Sequence, residues 1–210
     1  MEKGSWKVIS MHLSSPRANR EIAGREHFAF RDLIQAAGND PRLFGREGTS
    51  VIMITDIVGS TSINEAVGDR IWANTIGRHI DSVKNLVEAE RGVLVKSLGD
   101  GTMSSFSSIE FALNAAIAIQ KTVAADQRKP RIEIRIGIHA GDVIKTSDDF
   151  VGTVVNRAAR LTDAATQGQI LVSQAAVEMV AGGGYEFGNF ISLNIRGIEG
   201  ASSIAPLIWK

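Results

Sequence analysis

The sequence contains no cysteine, which excludes a disulfide framework, a thiolate nucleophile and a thiolate metal site. Proline is also scarce, with 4 residues against 21 glycines, and this ratio indicates many tight turns. Neither charge is in excess, because 23 Lys and Arg balance 23 Asp and Glu, so bulk charge gives no argument for nucleic acid or a membrane surface. No apolar run reaches membrane-span length, and the first residues lack the apolar core of a signal peptide. We therefore expect a cytoplasmic protein without a membrane span.

What is present is the composition of an ordinary globular protein. Hydrophobic residues make up 44% of the chain and charged residues 22%, which provides enough apolar material for a core. At 210 residues, the chain fits one domain, or one domain with a small appendage. Residues 20–38 have apolar side chains at roughly helical spacing. Residues 39–50, with Pro41, Gly45 and Gly48, are typical of a linker.

From Val51 onward, patterns typical of strands and helices alternate. The Gly-Asp-Gly turn at 99–101 predicts a hairpin, and the alternating isoleucines of 131–141 predict a half-buried strand. The predicted strands are 51 to about 56, 93–96, 102–106, 131–141 and 169–172, and the predicted helices are 61–67, 70–91, 108–125, 152–165 and 173–180. Further β structure is predicted at 185–195 and 203–209. This order predicts an α+β, ferredoxin-like βαββαβ sandwich with helices on a largely antiparallel sheet and extra C-terminal β structure.

The first chemistry-bearing stretch is Val51–Thr61, where a buried strand ends near a carboxylate, Asp56. Gly59 lets the backbone turn tightly, and Ser60 or Thr61 can cap the helix that follows. Carboxylate oxygens suit Mg²⁺, and the amides of such a turn can receive phosphate oxygens. Taken alone, an Asp at a strand end is more often a turn residue.

Asp100 is a second carboxylate, at the tip of the predicted hairpin. If the hairpin pairs beside the first strand, Asp100 comes to lie next to Asp56, and a divalent ion between them would relieve their repulsion. Lys96 interrupts an otherwise apolar strand, and a buried Lys needs a partner or a ligand. The simpler interpretations are a turn Asp and a Lys at a sheet edge with its ammonium in solvent.

Asn156 and Arg160 are four residues apart on one predicted helix, so their side chains project from the same face. Asp148 and Asp149 precede that helix and are either turn acids or charges that favour a helix N-terminus. For any isolated pair of this kind, a solvated polar stripe is the simpler interpretation.

Four motifs appear together and in order: Thr55-Asp56-Ile57-Val58-Gly59-Ser60-Thr61, Lys96-Ser97-Leu98-Gly99-Asp100-Gly101, Arg135-Ile136-Gly137-Ile138-His139-Ala140-Gly141 and Asp149-Phe150-Val151-Gly152-Thr153-Val154-Val155-Asn156-Arg157-Ala158-Ala159-Arg160. In this combination the chain closely resembles the catalytic domain of the class III nucleotidyl cyclases. The resemblance runs from about Val51 to Lys210, so we divide the chain into a catalytic domain, 51–210, and an N-terminal extension, 1–50, which forms an arm or small cap.

The resemblance implies a site that holds a metal–triphosphate complex. Asp56 and Asp100 resemble the two metal-binding aspartates, which would hold two divalent cations, Mg²⁺ or Mn²⁺. Nucleotide contacts are implied for the residues of the first turn: Ile57, Val58, Gly59, Ser60 and Thr61. The family motif has an aromatic residue where this chain has Ile54, a difference that we expect to change packing more than chemistry.

The resemblance also implies a base-reading and phosphate-binding half. Lys96 and Asp149 look like the pair that reads the adenine edge. Asn156 is similar to the residue that orients the ribose, and Arg160 to the residue that meets charge on the α-phosphate. In this family the two halves come from different protomers, so a homodimer with two shared active sites is implied. His139 lies inside a strand and is interpreted as structural.

The function implied is an adenylate cyclase that converts ATP to cyclic AMP and pyrophosphate in signal transduction. No protein nucleophile is required, which agrees with the absence of cysteine. A pyrimidine cyclase that makes cyclic UMP or CMP in phage defence would carry similar metal motifs. The sequence also leaves open a catalytically silent ATP-binding protein of the same fold and an unrelated ferredoxin-like binding protein.

Overall fold

The computed structural model describes residues 49–142, 149–194 and 201–210. In these residues the strands are β1 Thr49–Ile57, β2 Val93–Leu98, β3 Gly101–Phe106, β4 Ile134–Asp142, β5 Ile170–Ser173, β6 Ile191–Asn194 and β7 Ala201–Pro206. The helices are α1 Ser60–Val67, α2 Asp69–Ala89, α3 Ile109–Ala125, α4 Asp149–Ala164 and α5 Gln174–Glu178. No helix in these ranges is both long enough and apolar enough to cross a membrane.

The strands form one sheet in the order β2-β3-β1-β4-β5-β7-β6. Strand β1 pairs antiparallel with β3 on one side and with β4 on the other, so it lies inside the sheet. The pairing of β4 with β5 is parallel, and the remaining strand pairs are antiparallel. The predicted α+β sandwich on a largely antiparallel sheet is confirmed.

The two faces of the sheet follow from the alternation of side chains along β1. Val51, Met53 and Ile57 belong to the large apolar cluster beneath α2 and α3. Ile52 and Ile54 point to the opposite face, where they pack with residues of α4. We call these the α2/α3 face and the α4 face; Asp56 shares the register of Ile52 and Ile54 and so belongs to the α4 face.

Helix α4 approaches the sheet closely because β4 has glycine on this face. A Cβ atom on Gly137 would lie 2.4 Å from the Thr162 nitrogen and 2.5 Å from the Ala158 carbonyl oxygen. A Cβ on Gly141 would lie 2.9 Å from a methyl group of Val154. Two glycines four residues apart on β4 thus allow α4 to pack closely against the sheet, and they determine the distance between the helix and the strand.

Several predicted boundaries differ from the structure. Strand β4 begins at Ile134 rather than at residue 131, and the C-terminal β structure begins as an isolated bridge at Phe187 before β6. The prediction that Ser60 or Thr61 caps α1 is wrong, because Gly59 occupies the N-cap position with φ 68° and no side chain caps the helix. The helix predicted at 20–38 lies outside the described residues, and the domain division at residue 50 stays a prediction.

Candidate active site

Asp56 and Asp100 lie at the same end of two adjacent strands, because the C-terminal end of β1 pairs with the N-terminal end of β3. Thr55 of β1 pairs with Thr102 of β3, and their hydroxyl oxygens are 2.8 Å apart. Gly101 lies so close to β1 that a Cβ atom there would come within 2.4 Å of the Thr55 carbonyl oxygen. Only glycine allows this approach, which holds Asp100 beside Asp56.

The environment of Asp56 opposes its ionisation overall. Burial raises the pKa of the Asp56 carboxyl above its ordinary value, hydrogen bonds from Arg135 lower it, and the charge of Asp100 raises it again. Asp100 thus lies close enough to Asp56 for its charge to oppose the ionisation of that carboxyl. A site that brings two carboxylates together in this way favours a bound cation.

Arg135 on β4 forms the strongest contact of Asp56. The two residues are directly paired in the β1–β4 register, so their side chains share the α4 face. The Nε and Nη2 atoms of Arg135 both donate to Asp56 Oδ2, at 2.8 and 2.6 Å. Among the described residues, no hydrogen bond reaches Asp56 Oδ1. One carboxylate oxygen is therefore held and the other is left for a ligand.

Asn156 and Arg160 lie on α4, over the face that carries Asp56. The Asn156 side-chain oxygen is buried and has no hydrogen-bond partner within the described ranges. Arg160 is 41% exposed and its Nη1 lies 3.6 Å from an Asp163 carboxylate oxygen. A buried amide oxygen that lacks a partner, and an arginine whose ion pair with Asp163 lies at the surface, are both able to bind a polar ligand.

Lys96 lies on β2 at one end of the sheet, opposite Met103 of β3. Because Met103 packs in the α4-face cluster, the paired Lys96 position belongs to that face as well. The residue is half-buried on a terminal strand of the described sheet, so both the sheet-edge interpretation and a role in binding stay open. Asp149 is the first residue of α4, but its side chain is outside the described part of the structure.

The turn after β1 presents backbone amides at the start of α1. The Val58 amide donates to the Glu133 carbonyl at 2.8 Å, so this group is not open to a phosphate. No side chain caps α1, which leaves the amides of Ser60 and Thr61 without an intrahelical or capping acceptor. The absence of the predicted side-chain cap is therefore consistent with a phosphate at this helix end.

The donor set fits a metal that is shared with a substrate. Within residues 49–142, 149–194 and 201–210, no group of three or more His, Cys, Asp or Glu is arranged to hold a metal. Asp56 and Asp100 supply hard oxygen ligands, which Mg²⁺ and Mn²⁺ prefer. Two carboxylates leave several coordination positions open, and the oxygens of a triphosphate can fill them.

Sequence reasoning missed Arg135 as part of the site. The residue belongs to one of the four motifs, but its place in the pattern Ile-Glu-Ile-Arg-Ile is typical of one more solvent-facing side chain. Its partner Asp56 is 79 positions away in sequence, and only the register of β1 with β4 brings them together. Asp163, whose carbonyl oxygen accepts from Arg135 at 3.0 Å, was also missed, because only the packing of α4 on the sheet brings it to β4.

His139 is buried on the α4 face and serves the fold. Its Nδ1 lies 2.9 Å from the hydroxyl of Ser173, and that hydroxyl accepts the Ala176 amide at the start of α5. Burial lowers the pKa of His139 to about 4, with a smaller contribution from the positive charge of Arg157. The ring is therefore neutral at pH 7, in agreement with the structural interpretation.

Comparisons with known proteins identify the family to which the chain belongs. The family model described as the adenylate and guanylate cyclase catalytic domain matches residues 45–204. An adenylate cyclase of Streptomyces coelicolor is 31% identical over 142 residues, which is 68% of this chain and 36% of that protein. The chain thus spans about a third of the length of this curated relative.

Two solved structures have the same fold. The guanylate cyclase domain of RhGC from Catenaria anguillulae, solved with GTP, is 18% identical with a TM-score of 0.69, and the match covers 77% of this chain and 97% of that one. An adenylate/guanylate cyclase/hydrolase from Silicibacter pomeroyi is 25% identical with a TM-score of 0.63, covering 76% of this chain and 96% of that one.

The chain therefore belongs to the adenylate and guanylate cyclase catalytic-domain family. It carries the fold of the class III nucleotidyl cyclases, the lyases that form cyclic nucleotides from nucleoside triphosphates. The resemblance drawn from four sequence motifs is confirmed.

Proposed function

We propose that the protein is an adenylate cyclase that converts ATP to 3′,5′-cyclic AMP and pyrophosphate in a homodimer with two shared active sites. The observation that carries the proposal is that Asp56 and Asp100 lie at the same end of two adjacent strands. Asp56 belongs to the face that α4 covers, and α4 carries Asn156 and Arg160. A second subunit, facing this surface, completes each site.

The metal half of each site is proposed to consist of Asp56 and Asp100, which would hold two divalent cations, Mg²⁺ or Mn²⁺, against the triphosphate. When bound, these cations neutralise phosphate charge and lower the pKa of the attacking 3′-hydroxyl. The amides at the start of α1, at Ser60 and Thr61, donate to phosphate oxygens. Ile57, Val58 and Gly59 shape the turn that presents them.

The other half of each site comes from the partner subunit in this proposal. Its Asn156 orients the ribose so that the 3′-hydroxyl lies in line with the α-phosphate, and its Arg160 donates to the α-phosphate oxygens as charge develops there. The planar guanidinium presents several donors in fixed geometry, which suits a phosphoryl group. The unpartnered oxygen of Asn156 supports a polar ligand at this position.

Base selection is assigned to Lys96 and Asp149, one donor and one acceptor. A base with the opposite pattern would leave a buried partner unsatisfied, and such mismatches are costly. The half-buried state of Lys96 on the α4 face supports this assignment. Cyclic UMP or CMP as the product would instead favour a pyrimidine cyclase.

Mixed dimers test the shared site. Asp56→Ala and Arg160→Ala chains should each be inactive alone, and a mixed dimer should regain activity, because it contains one intact site. We expect up to half of wild-type activity per mixed dimer, measured as cyclic AMP formed with Mn²⁺ and ATP. Properly assembled mixed dimers that stay inactive would contradict the shared site.

The substrate assignment is tested by assaying the protein with ATP, GTP, UTP and CTP and identifying each cyclic product. We expect cyclic AMP to dominate. Lys96→Glu should reduce the preference for ATP before it changes the Mn²⁺ requirement, because it reverses the charge at the base and leaves the carboxylates intact. An unchanged base preference would remove Lys96 from this role. Nucleotide binding without pyrophosphate release would favour a silent protein.

A further inference from the structure

Arg135 holds the carboxylate of Asp56 through one of its two oxygens. Its Nε and Nη2 atoms both donate to a single oxygen, Oδ2, and the two side chains are 27% and 28% exposed. Charge-assisted hydrogen bonds of this length in a half-buried setting are strong. The contact fixes Oδ2, and none of the hydrogen bonds among the described residues reaches Oδ1.

The third nitrogen of Arg135 reaches a different element. Nη1 donates to the Asp163 carbonyl oxygen at 3.0 Å, one residue before the end of α4. Carbonyl groups in the last turn of a helix lack intrahelical donors, so a guanidinium there stabilises the helix end and its dipole. The Asp163 carboxylate lies 3.9 Å from Arg135 and 3.6 Å from Arg160. One guanidinium thus joins the end of β1 to the end of α4.

A positive charge beside a metal-binding carboxylate weakens the attraction for a cation, because the like charges repel. An arginine at this place is understandable if it supplies position instead. The rigid fork of arginine can hold two partners in fixed directions at once, which the single ammonium of lysine cannot do.

We propose that Arg135 is a positioning residue that couples the metal-binding end of β1 to the C-terminal turn of α4. It aims Asp56 Oδ1 at the cation, and it holds the helix that carries Asn156 and Arg160. The inference rests on the proposed function for the roles of these residues. Under that proposal, Asp56 and Arg160 of one chain serve different active sites, so Arg135 connects the two sites of the dimer.

The coupling itself is testable in the protein without metal or nucleotide. Asp56→Asn removes the charge that holds the guanidinium, so hydrogen exchange of the α4 amides at 161–164 should accelerate by about fivefold or more. Asp100→Asn, which does not contact Arg135, is the matched control and should leave these amides unchanged. In an Arg135→Lys background, Asp56→Asn should add nothing further. Equal exchange in the Asp56→Asn and Asp100→Asn variants would overturn the coupling, whatever reaction the protein catalyses.

Mixed dimers with one intact site separate the two effects of Arg135. One chain carries Arg160→Ala and contributes the working carboxylates, and the other carries Asp100→Ala and contributes the working Arg160. Arg135→Lys keeps the positive charge and removes the fork. When Arg135→Lys is placed in the chain that contributes the carboxylates, the half-saturating Mn²⁺ concentration should rise about tenfold. When it is placed in the chain that contributes Arg160, kcat should fall about tenfold and the Mn²⁺ requirement should be unchanged.

Mn²⁺ binding can also be measured directly, as an independent test of the expected kinetic result. Free Mn²⁺ is followed by electron paramagnetic resonance with 3′-deoxy-ATP, which lacks the attacking hydroxyl. Arg135→Lys should weaken Mn²⁺ binding to the same extent as in the first mixed dimer. Arg131→Gln, which removes an exposed arginine that contacts Gln127, should behave as wild type. An effect in only one of the two mixed dimers would overturn the connection between the sites, and inactive parent dimers would instead contradict the shared active site.

Discussion

The two faces of the central sheet are built for different purposes. The α2/α3 face carries a large, continuous apolar cluster that includes Phe106, Leu113 and Ile136. The α4 face carries two smaller clusters, of six and four buried residues, and the ion pair of Asp56 and Arg135. Burial of apolar area is the main stabilising contribution to folding, so the first face contributes most of the stability. The α4 face instead positions charged and polar groups.

The difference shows how one sheet can be rigid and reactive at once. Strand β1 contributes to both faces, and the apolar packing beneath it fixes the position of Asp56 on the other side. Unsatisfied polar atoms occur on both faces, but among the described residues the ion pairs that link different elements are on the α4 face. Substitutions on the two faces should therefore affect different measurements.

The largest expected effect on stability is that of Phe106→Ala on the α2/α3 face. The ring is fully buried and packs against Gly92, so its removal leaves a cavity that should cost about 3–5 kcal/mol of unfolding free energy. Urea unfolding followed by circular dichroism measures the loss. The activity of the remaining folded fraction should be unchanged. A loss of kcat in fully folded protein would show that the α2/α3 face also contributes to activity.

Arg160→Ala on the α4 face should show the opposite result. We expect cyclase activity to fall about 10²–10³-fold, because a donor to the developing phosphate charge is lost. The unfolding free energy should change by less than about 0.5 kcal/mol, since the side chain is 41% exposed and its ion pair with Asp163 is at the surface. A drop in stability comparable to that of Phe106→Ala would show that Arg160 is a structural residue.

Acid should destabilise both faces through one buried histidine each. Burial lowers the pKa of His79 on α2 and of His139 on β4 to about 4. Below the ordinary pKa of about 6.5 the unfolded state binds protons that the folded state does not, so stability present above pH 6.5 is lost as pH falls towards 4. Each histidine should contribute about 3 kcal/mol across this range.

The histidine prediction is checked by urea unfolding at several pH values between 7 and 4. His139→Gln removes one titrating group and should reduce the slope of unfolding free energy against pH by about 1.4 kcal/mol per pH unit. His79→Gln should produce a similar reduction, although the two groups lie on opposite faces. An unchanged slope in either variant would show that the ring is protonated in the folded protein.

The smallest expected effect comes from glycine substitutions. Gly137→Ala places a Cβ against the backbone of α4, so the helix must move, at a cost of about 1–3 kcal/mol and with reduced activity. Gly77→Ala in α2 is the matched control, because nothing lies within 4 Å of its Cβ. It should stabilise the helix by up to about 1 kcal/mol. Similar values for both variants would show that α4 is not seated on Gly137.

Much of the fold was predictable because it depends on local patterns. The alternating isoleucines from Ile132 to Ile138 encode β4, and the Gly-Asp-Gly turn encodes the β2–β3 hairpin. The proximity of Asp56 and Asp100 follows once that hairpin is placed beside β1. The partners of Arg135 depend on register between distant strands, and no local pattern encodes it. The error at Ser60 and Thr61 arose because Gly59, at φ 68°, takes the N-cap position itself.

The irregular pairing of β2 affects the behaviour of the protein at high concentration. Among the described strands β2 is a terminal one, and its register with β3 shifts between Leu94 and Lys96. An open edge is a template onto which a foreign strand can add, and a bulge together with a charged residue makes such addition unfavourable. The position assigned to base reading thus also protects the sheet from growing into aggregates.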